Sequence, residues 1–331
     1  MTGDTQGLAS SLAPVLREHC GSKLGPIEWF RCAWQAGGAA TGFSVWSEPD
    51  GTQVPVLVKI PVGPSELAWT VTLGCEPEGS LPQGPEQGPG SGVTPRVFAS
   101  GSTIGGYDLA WFVTERLEGP PLSQRLDEAG VRDIISACVD FHQLAASVRP
   151  VDEKPKRQDW DKAIDDARQR VRTHALPESG RWSDALRKVH KHIHLLVGRW
   201  ESRSADTWCH GDLHPGNALP RAAARGPAQP RRCVLIDLAL VHPGHWIEDA
   251  VYLERQFWGH EEMLHGVKPV SCLAQIRRER GLPTNDSYGD LASVRRVLMA
   301  SLVPLFVDRE HNAKYMHTAL EVLEKYLPQV H

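Results

Sequence analysis

The spacing of apolar residues changes once along the chain, near residue 130. Before that point short apolar runs alternate with turn signals. Residues 8–20 (LASSLAPVLREHC) predict a short helix with a break near Pro14. Residues 27–34 (IEWFRCAW), 43–46 (FSVW) and 54–60 (VPVLVKI) predict strands, the last two separated by the turn Glu48-Pro49-Asp50-Gly51. Ser65 is placed to cap a helix that runs through SELAWTVTL and stops at Gly74. Residues 75–93 are rich in Pro and Gly and predict a flexible surface insertion. Two more strands are expected near 95–100 and 109–115.

From residue 130 the period is helical. Val131, Ile134, Ile135, Cys138, Val139, Phe141, His142 and Ala145 recur as one buried helix face, with His142 expected to be a satisfied core histidine. Further helices are predicted at 157–173, 181–202, 247–258, 287–307 and 311–327. Two short strands, 207–209 and the run CVLID, interrupt this half, and the basic stretch 221–232 between them reads as a hairpin loop. There is no internal repeat. The expected fold is α+β, with a small sheet lobe over residues 1–118 joined to a larger, mainly helical lobe over 119–331.

Composition narrows the classes. A length of 331 residues suits two domains or one large bilobal one. Lys and Arg total 36 against 40 Asp and Glu, so the basic surplus of a general nucleic-acid binder is missing. With 41% hydrophobic and 23% charged residues, the chain can build a packed core. The longest apolar run, CVLIDLALV, is short and broken by Asp237, so no membrane span is expected. The start, MTGDTQGLASSL, lacks the pattern of a secretory leader. Seven scattered cysteines without a CxxC pair argue against a disulfide framework and point to a reducing cytoplasm.

The segment richest in chemistry is His210-Gly211-Asp212-Leu213-His214-Pro215-Gly216-Asn217, followed by the strand Val234-Leu235-Ile236-Asp237. Asp212 can accept a proton from an attacking hydroxyl. The Asn217 amide oxygen can hold a hard cation, and Asp237 can complete its oxygen shell, a donor set that suits magnesium. The plain alternative is a turn that Asp and Asn stabilise. A second reading is a zinc metallohydrolase, because His210, Asp212 and His214 would share one face of a strand, with His242 and His245 as further ligands. Pro215-Gly216 forces a turn at once, however, and that reading leaves Lys59 and Asn217 without a role. A third is a nucleotide-binding regulatory module without transfer activity, which would ordinarily have lost one of the three groups.

The pattern HxDxxxxN before an apolar strand ending in Asp resembles the catalytic and metal loops of protein-kinase-like folds. HGDLHPGN is similar to the version found in the aminoglycoside phosphotransferase and choline kinase family. WFVTERLEG, ACVDFHQLA and Pro243-Gly244 with Glu248-Asp249-Ala250 extend the resemblance over roughly residues 28–258. It implies a bilobal protein-kinase-like fold with a small antiparallel sheet. It also implies transfer of the γ-phosphoryl group of ATP, with GTP an alternative donor, to a hydroxyl of a small molecule.

Residue by residue, the resemblance makes Asp212 the catalytic base, Asn217 and Asp237 the magnesium ligands, and His210 structural. Lys59 would hold the α- and β-phosphates. Glu66 would orient Lys59, although its seven-residue interval is short for the family; Glu76 has the more usual one. Backbone groups of Glu115 and Leu117, just after Thr114, would bind the base, and Gly37, Gly38 and Thr41 would lie near phosphates. Asp159, Asp161 and Asp165 read first as an exposed helix face of mixed charge. The alternative makes them, with Glu248 and Glu254, a wall for a cationic acceptor such as an aminoglycoside, with antibiotic resistance and housekeeping metabolism both open as roles; Asp249 is expected to be structural. Leu238-Ala239 follow Asp237 where the family often has Trp or Gly. No nucleic-acid or membrane partner is expected.

Overall fold

The computed structural model describes residues 5–30, 38–75, 92–174, 176–221, 232–285, 287–306 and 312–330. Two compact units arise, and the chain passes between them more than once. The first comprises Met1–Gln124, Gln143–Val148 and Pro215–Val241; the second comprises Arg125–His142, Arg149–His214 and His242–His331.

The first unit opens with helix α1 (Thr5–His19). A five-stranded antiparallel sheet follows, built from β1 (Glu28–Phe30), β2 (Ala40–Ser47), β3 (Gln53–Ile60), β4 (Val97–Gly101) and β5 (Trp111–Glu115) in the order β1-β2-β3-β5-β4. The period-2 pattern of β3 sets its register. Val56, Val58 and Ile60 point into a core with Leu12, Leu16, Trp46, Ile104 and Trp111, and Leu57 and Lys59 take the other face. Helix α2 (Pro64–Gly74) follows β3. A short hairpin of β7 (Ala218–Arg221) and β8 (Arg232–Leu235) completes the unit.

Two details depart from the sequence expectation. Pro14 lies inside α1 without ending it. The proline and Ser10, whose carbonyl loses its partner, are both exposed, while Ala9, Leu12 and Leu16 anchor the opposite face. The cap of α2 is Gly63 rather than Ser65, because Pro64 occupies the first helical position, where its missing N–H costs nothing.

The second unit holds most of α3 (Glu128–Val148), together with α4 (Trp160–Thr173), α5 (Ser179–Glu201), α6 (Ile247–Arg255), α7 (Pro269–Glu279), α8 (Tyr288–Ser301) and α9 (Ala313–Tyr326). A two-stranded ladder of β6 (Thr207–Cys209) and β9 (His242–Gly244) lies among them. Strands β7 and β9 and helix α7 go beyond the sequence expectation. Among the described residues no helix is long and apolar enough to cross a membrane. The α+β expectation therefore holds, with an antiparallel sheet in one unit and helices dominating the other.

Candidate functional site

In the first unit, β3 and α2 bring a cation and two carboxylates together. Lys59, on the outer face of β3, places its Nζ 2.5 Å from Glu66 Oε1 and 3.8 Å from Asp237 Oδ1. Glu66 sits in the first turn of α2, where the helix dipole favours a carboxylate. Burial pushes its carboxyl above the usual range, and the Lys59 ammonium pulls it back. The seven-residue interval therefore suffices: only Pro61-Val62-Gly63 separate the end of β3 from α2. Glu76 lies outside the described residues.

The hairpin explains why Asn217 and Asp237 are neighbours despite twenty residues of separation. Ala218 pairs with Leu235, and the Ile236 amide donates to the Asn217 carbonyl at 3.0 Å. Asn217 is buried, whereas the Asp237 side chain is 41% exposed. Asp237 adopts φ 63° and ψ 69°, a left-handed conformation that carries the chain out of the strand; carboxamide and carboxylate residues tolerate that region better than most. Both side chains offer oxygen donors, which fits a hard divalent cation. Thr41 lies opposite Lys59 across the ladder. Gly38 has open space where a Cβ would stand, and Gly37 lies outside the described residues.

At the end of β5, Thr114 is buried and pairs with Leu57. The Glu115 amide donates to the Arg96 carbonyl at 2.9 Å, and its carboxylate is paired with Arg221 of β7. Leu117 follows on irregular, half-buried chain.

In the second unit, helix α6 grips the loop after β6. Asp249 is fully buried and accepts from the His210 amide at 2.8 Å, the Gly211 amide at 2.9 Å and His142 Nε2 at 2.9 Å. Burial alone would push its carboxyl up; the His142 bond and the other donors outweigh that and hold it at about 2. His142 is thus a core histidine, as its helical spacing predicts, but only half satisfied: Nε2 is bonded, whereas the buried Nδ1 has no hydrogen-bond partner among the described residues. One turn along the same face, the Tyr252 hydroxyl donates to Asp212 Oδ1 at 2.6 Å, and His214 Nε2 stands 3.6 Å from Asp212 Oδ2. The sequence reading passed over Tyr252; its i, i+3 spacing from Asp249 was the available signal.

The zinc arrangement is not formed. The Asp212 amide donates to His210 Nδ1 at 3.3 Å, which turns that nitrogen back onto its own loop. Among the described residues, the metal-ligating atoms that converge are those of Cys138, His142 and Asp249 and those of Cys209, His242 and Glu248, not His210, Asp212 and His214.

Four of the five acidic residues offered for an acceptor wall already have partners in the structure. Asp159 caps α4 by accepting from the Lys162 amide at 3.0 Å. Asp165 pairs with Arg168, and Asp161 is exposed in the first turn of α4. Glu248 is buried, takes Arg203 Nε at 3.0 Å and has Arg295 at 3.9 Å. Burial would raise its carboxyl, but His242 and the arginines hold it at about 2. Glu254 forms a two-pronged pair with Arg296 at 2.7 Å on both oxygens. Glu248 and Glu254 are therefore structural ion pairs, and their burial explains why: an unpaired carboxylate there would be costly.

Beside Glu248, the buried ring of His245 accepts from the Ile247 amide through Nδ1, and burial lowers its pKa to about 4. The unfolded chain binds a proton near pH 6.5 that the native state refuses until about 4. Stability should therefore fall by roughly 3 kcal/mol as pH drops through that window. Urea unfolding of the parent and of His245→Asn checks this: the variant should lose most of that slope, and equal slopes would refute the assignment.

The family model described as "Phosphotransferase enzyme family" matches residues 86–267. No curated protein matches the sequence. Solved structures share its fold at low identity. An aminoglycoside phosphotransferase from Alicyclobacillus acidocaldarius aligns with a TM-score of 0.52 at 16% identity, covering 94% of this chain and 93% of that one. An amicoumacin kinase in complex with AMP-PNP, Ca2+ and its ligand gives 0.55 at 12%, covering 99% and 94%. A spectinomycin phosphotransferase in complex with ADP and spectinomycin gives 0.52 at 10%, covering 96% and 93%.

Proposed function

The chain belongs to the phosphotransferase enzyme family and is a small-molecule kinase, and we propose that it transfers the γ-phosphoryl group of ATP to an acceptor hydroxyl with Asp212 as the base. The observation that carries this reading is the setting of Asp212. Its loop is pinned from below by the buried Asp249, and its own carboxylate is left partly exposed, at 24%. A base for phosphoryl transfer needs that combination of fixed backbone and reachable oxygen.

In the proposed step the acceptor O–H gives its proton to Asp212. The acceptor oxygen forms a bond to the γ-phosphorus while the bond from that phosphorus to the β–γ bridging oxygen breaks. The electron pair stays on the terminal oxygen of ADP. Lys59 supplies a point charge to the α- and β-phosphates, and Glu66 holds its ammonium in place. Asn217 and Asp237 are the residues that would hold magnesium. That ion, when bound, neutralises phosphate charge. Because the Glu115 amide is committed to Arg96, the groups that would meet an adenine base are the Glu115 carbonyl and the Leu117 backbone.

The acceptor class follows by analogy with kinases of amicoumacin and spectinomycin: a hydroxylated, amino-bearing small molecule. An antibiotic acceptor would make the role one of resistance, and dependence on ATP fits the cytoplasm. The test is ADP formation from ATP across a panel of aminoglycosides, macrolides, choline and sugars. At least one acceptor should raise ADP formation by the wild type and not by Asp212→Ala. A panel on which the two proteins behave alike would reject the reading.

A further inference from the structure

Helix α6 touches the loop after β6 at two points with two kinds of group. Asp249 holds backbone amides, a task of folding. Tyr252, three residues on, holds the functional carboxylate itself, with a 2.6 Å hydrogen bond to Oδ1. The tyrosine is half-buried, and burial followed by the nearby Asp212 pushes its phenol well above its ordinary range, so it remains a donor at every working pH. Arg255, one turn further, is tied to the Tyr315 hydroxyl of α9 at 2.6 Å, which fixes this end of the helix.

We propose that Tyr252 is a positioning residue for the phosphoryl-transfer step: its hydroxyl bonds Oδ1 and holds the rotation of the Asp212 carboxylate, which sets the orientation in which that carboxylate meets the acceptor hydroxyl. The inference rests on the assignment of Asp212 as base. A carboxylate turns freely about its terminal bond unless something holds it. A charge-assisted bond at this distance is among the stronger ones available to a side chain. It also makes the carboxylate a slightly weaker base, so two effects oppose each other. In phosphoryl transfer little covalent chemistry is asked of the protein and alignment dominates. Orientation therefore wins, and removing the hydroxyl slows turnover.

Tyr252→Phe keeps the ring and deletes only the donor. Its kcat should fall about tenfold, with the KM for ATP unchanged and the melting temperature within a few degrees of the parent. The decisive measurement is the cycle of Tyr252→Phe, Asp212→Asn and the double variant, read as kcat. If the hydroxyl acts through the Asp212 carboxylate, Tyr252→Phe costs much less than tenfold once that carboxylate is gone. An equal loss in both backgrounds would make Tyr252 a general structural contact and overturn the proposal. So would an unchanged kcat in the single variant. A fully active Asp212→Asn would show instead that the base itself is misassigned, and the role of Tyr252 would fall with it.

Discussion

Asp212→Asn should fold like the parent, bind ATP about as well, and lose on the order of 10²-fold or more in kcat, the scale of a general base. The substitution is nearly isosteric, and an amide oxygen can still accept the Tyr252 hydrogen bond at the Oδ1 position. The loop backbone stays pinned, because its amides are held by Asp249 and not by Asp212. What disappears is the capacity to take a proton. Initial rates at saturating ATP, alongside nucleotide binding, check this. A variant that turns over at the parent rate would remove Asp212 from the chemistry.

Asp249→Ala should do its damage to the fold, lowering stability by about 3–5 kcal/mol, the usual scale for breaking a buried charge network on one side. The loss strands the buried His210 amide and His142 ring, and it also removes the partner of the half-buried Gly211 amide. Urea unfolding measures it directly. Asp165→Ala, which removes an exposed partner of Arg168, is the matched control and should change stability by less than about 1 kcal/mol. A loss of under about 1 kcal/mol for Asp249→Ala would show that the network is not what holds the loop.

Much of this was legible in the residues, for reasons that differ by element. The alternation in VPVLVKI gave β3 its register and therefore put Lys59 on the outer face. The apolar period from Val131 to Ala145 gave α3, and it left His142 among core residues. HGDLHPGN is local in sequence, so a candidate chemistry could be proposed for it without knowing the fold, whereas its placement beside Asp237 takes the hairpin of β7 and β8. Helix α7 was missed although Pro269 opens it and Val270, Leu273, Ala274 and Arg277 are buried at helical spacing, which was signal enough.

Long-range pairing was harder to read. Glu248 and Glu254 of α6 looked available because their partners are far away in the chain: Arg296 is 42 residues from Glu254, and Arg203 is 45 from Glu248. Nothing in the spacing of Glu248 or Glu254 announces an arginine on another element. Strand β9 has the same difficulty, since His242-Pro243-Gly244 carries little strand propensity and exists by pairing with β6. Tyr252 sits between these cases. Its position on the Asp249 face could be counted, but its contact with Asp212 depends on how the loop returns to the helix.

The account stands most directly on the role of Asp237 beside Lys59 and Asn217. Calorimetric titration of ATP into the parent and into Asp237→Ala, each with magnesium and with a chelator, measures it. The parent should bind ATP at least about tenfold more tightly with magnesium, and Asp237→Ala should lose most of that gain while keeping its metal-free affinity. An undiminished magnesium gain in the variant would contradict the account.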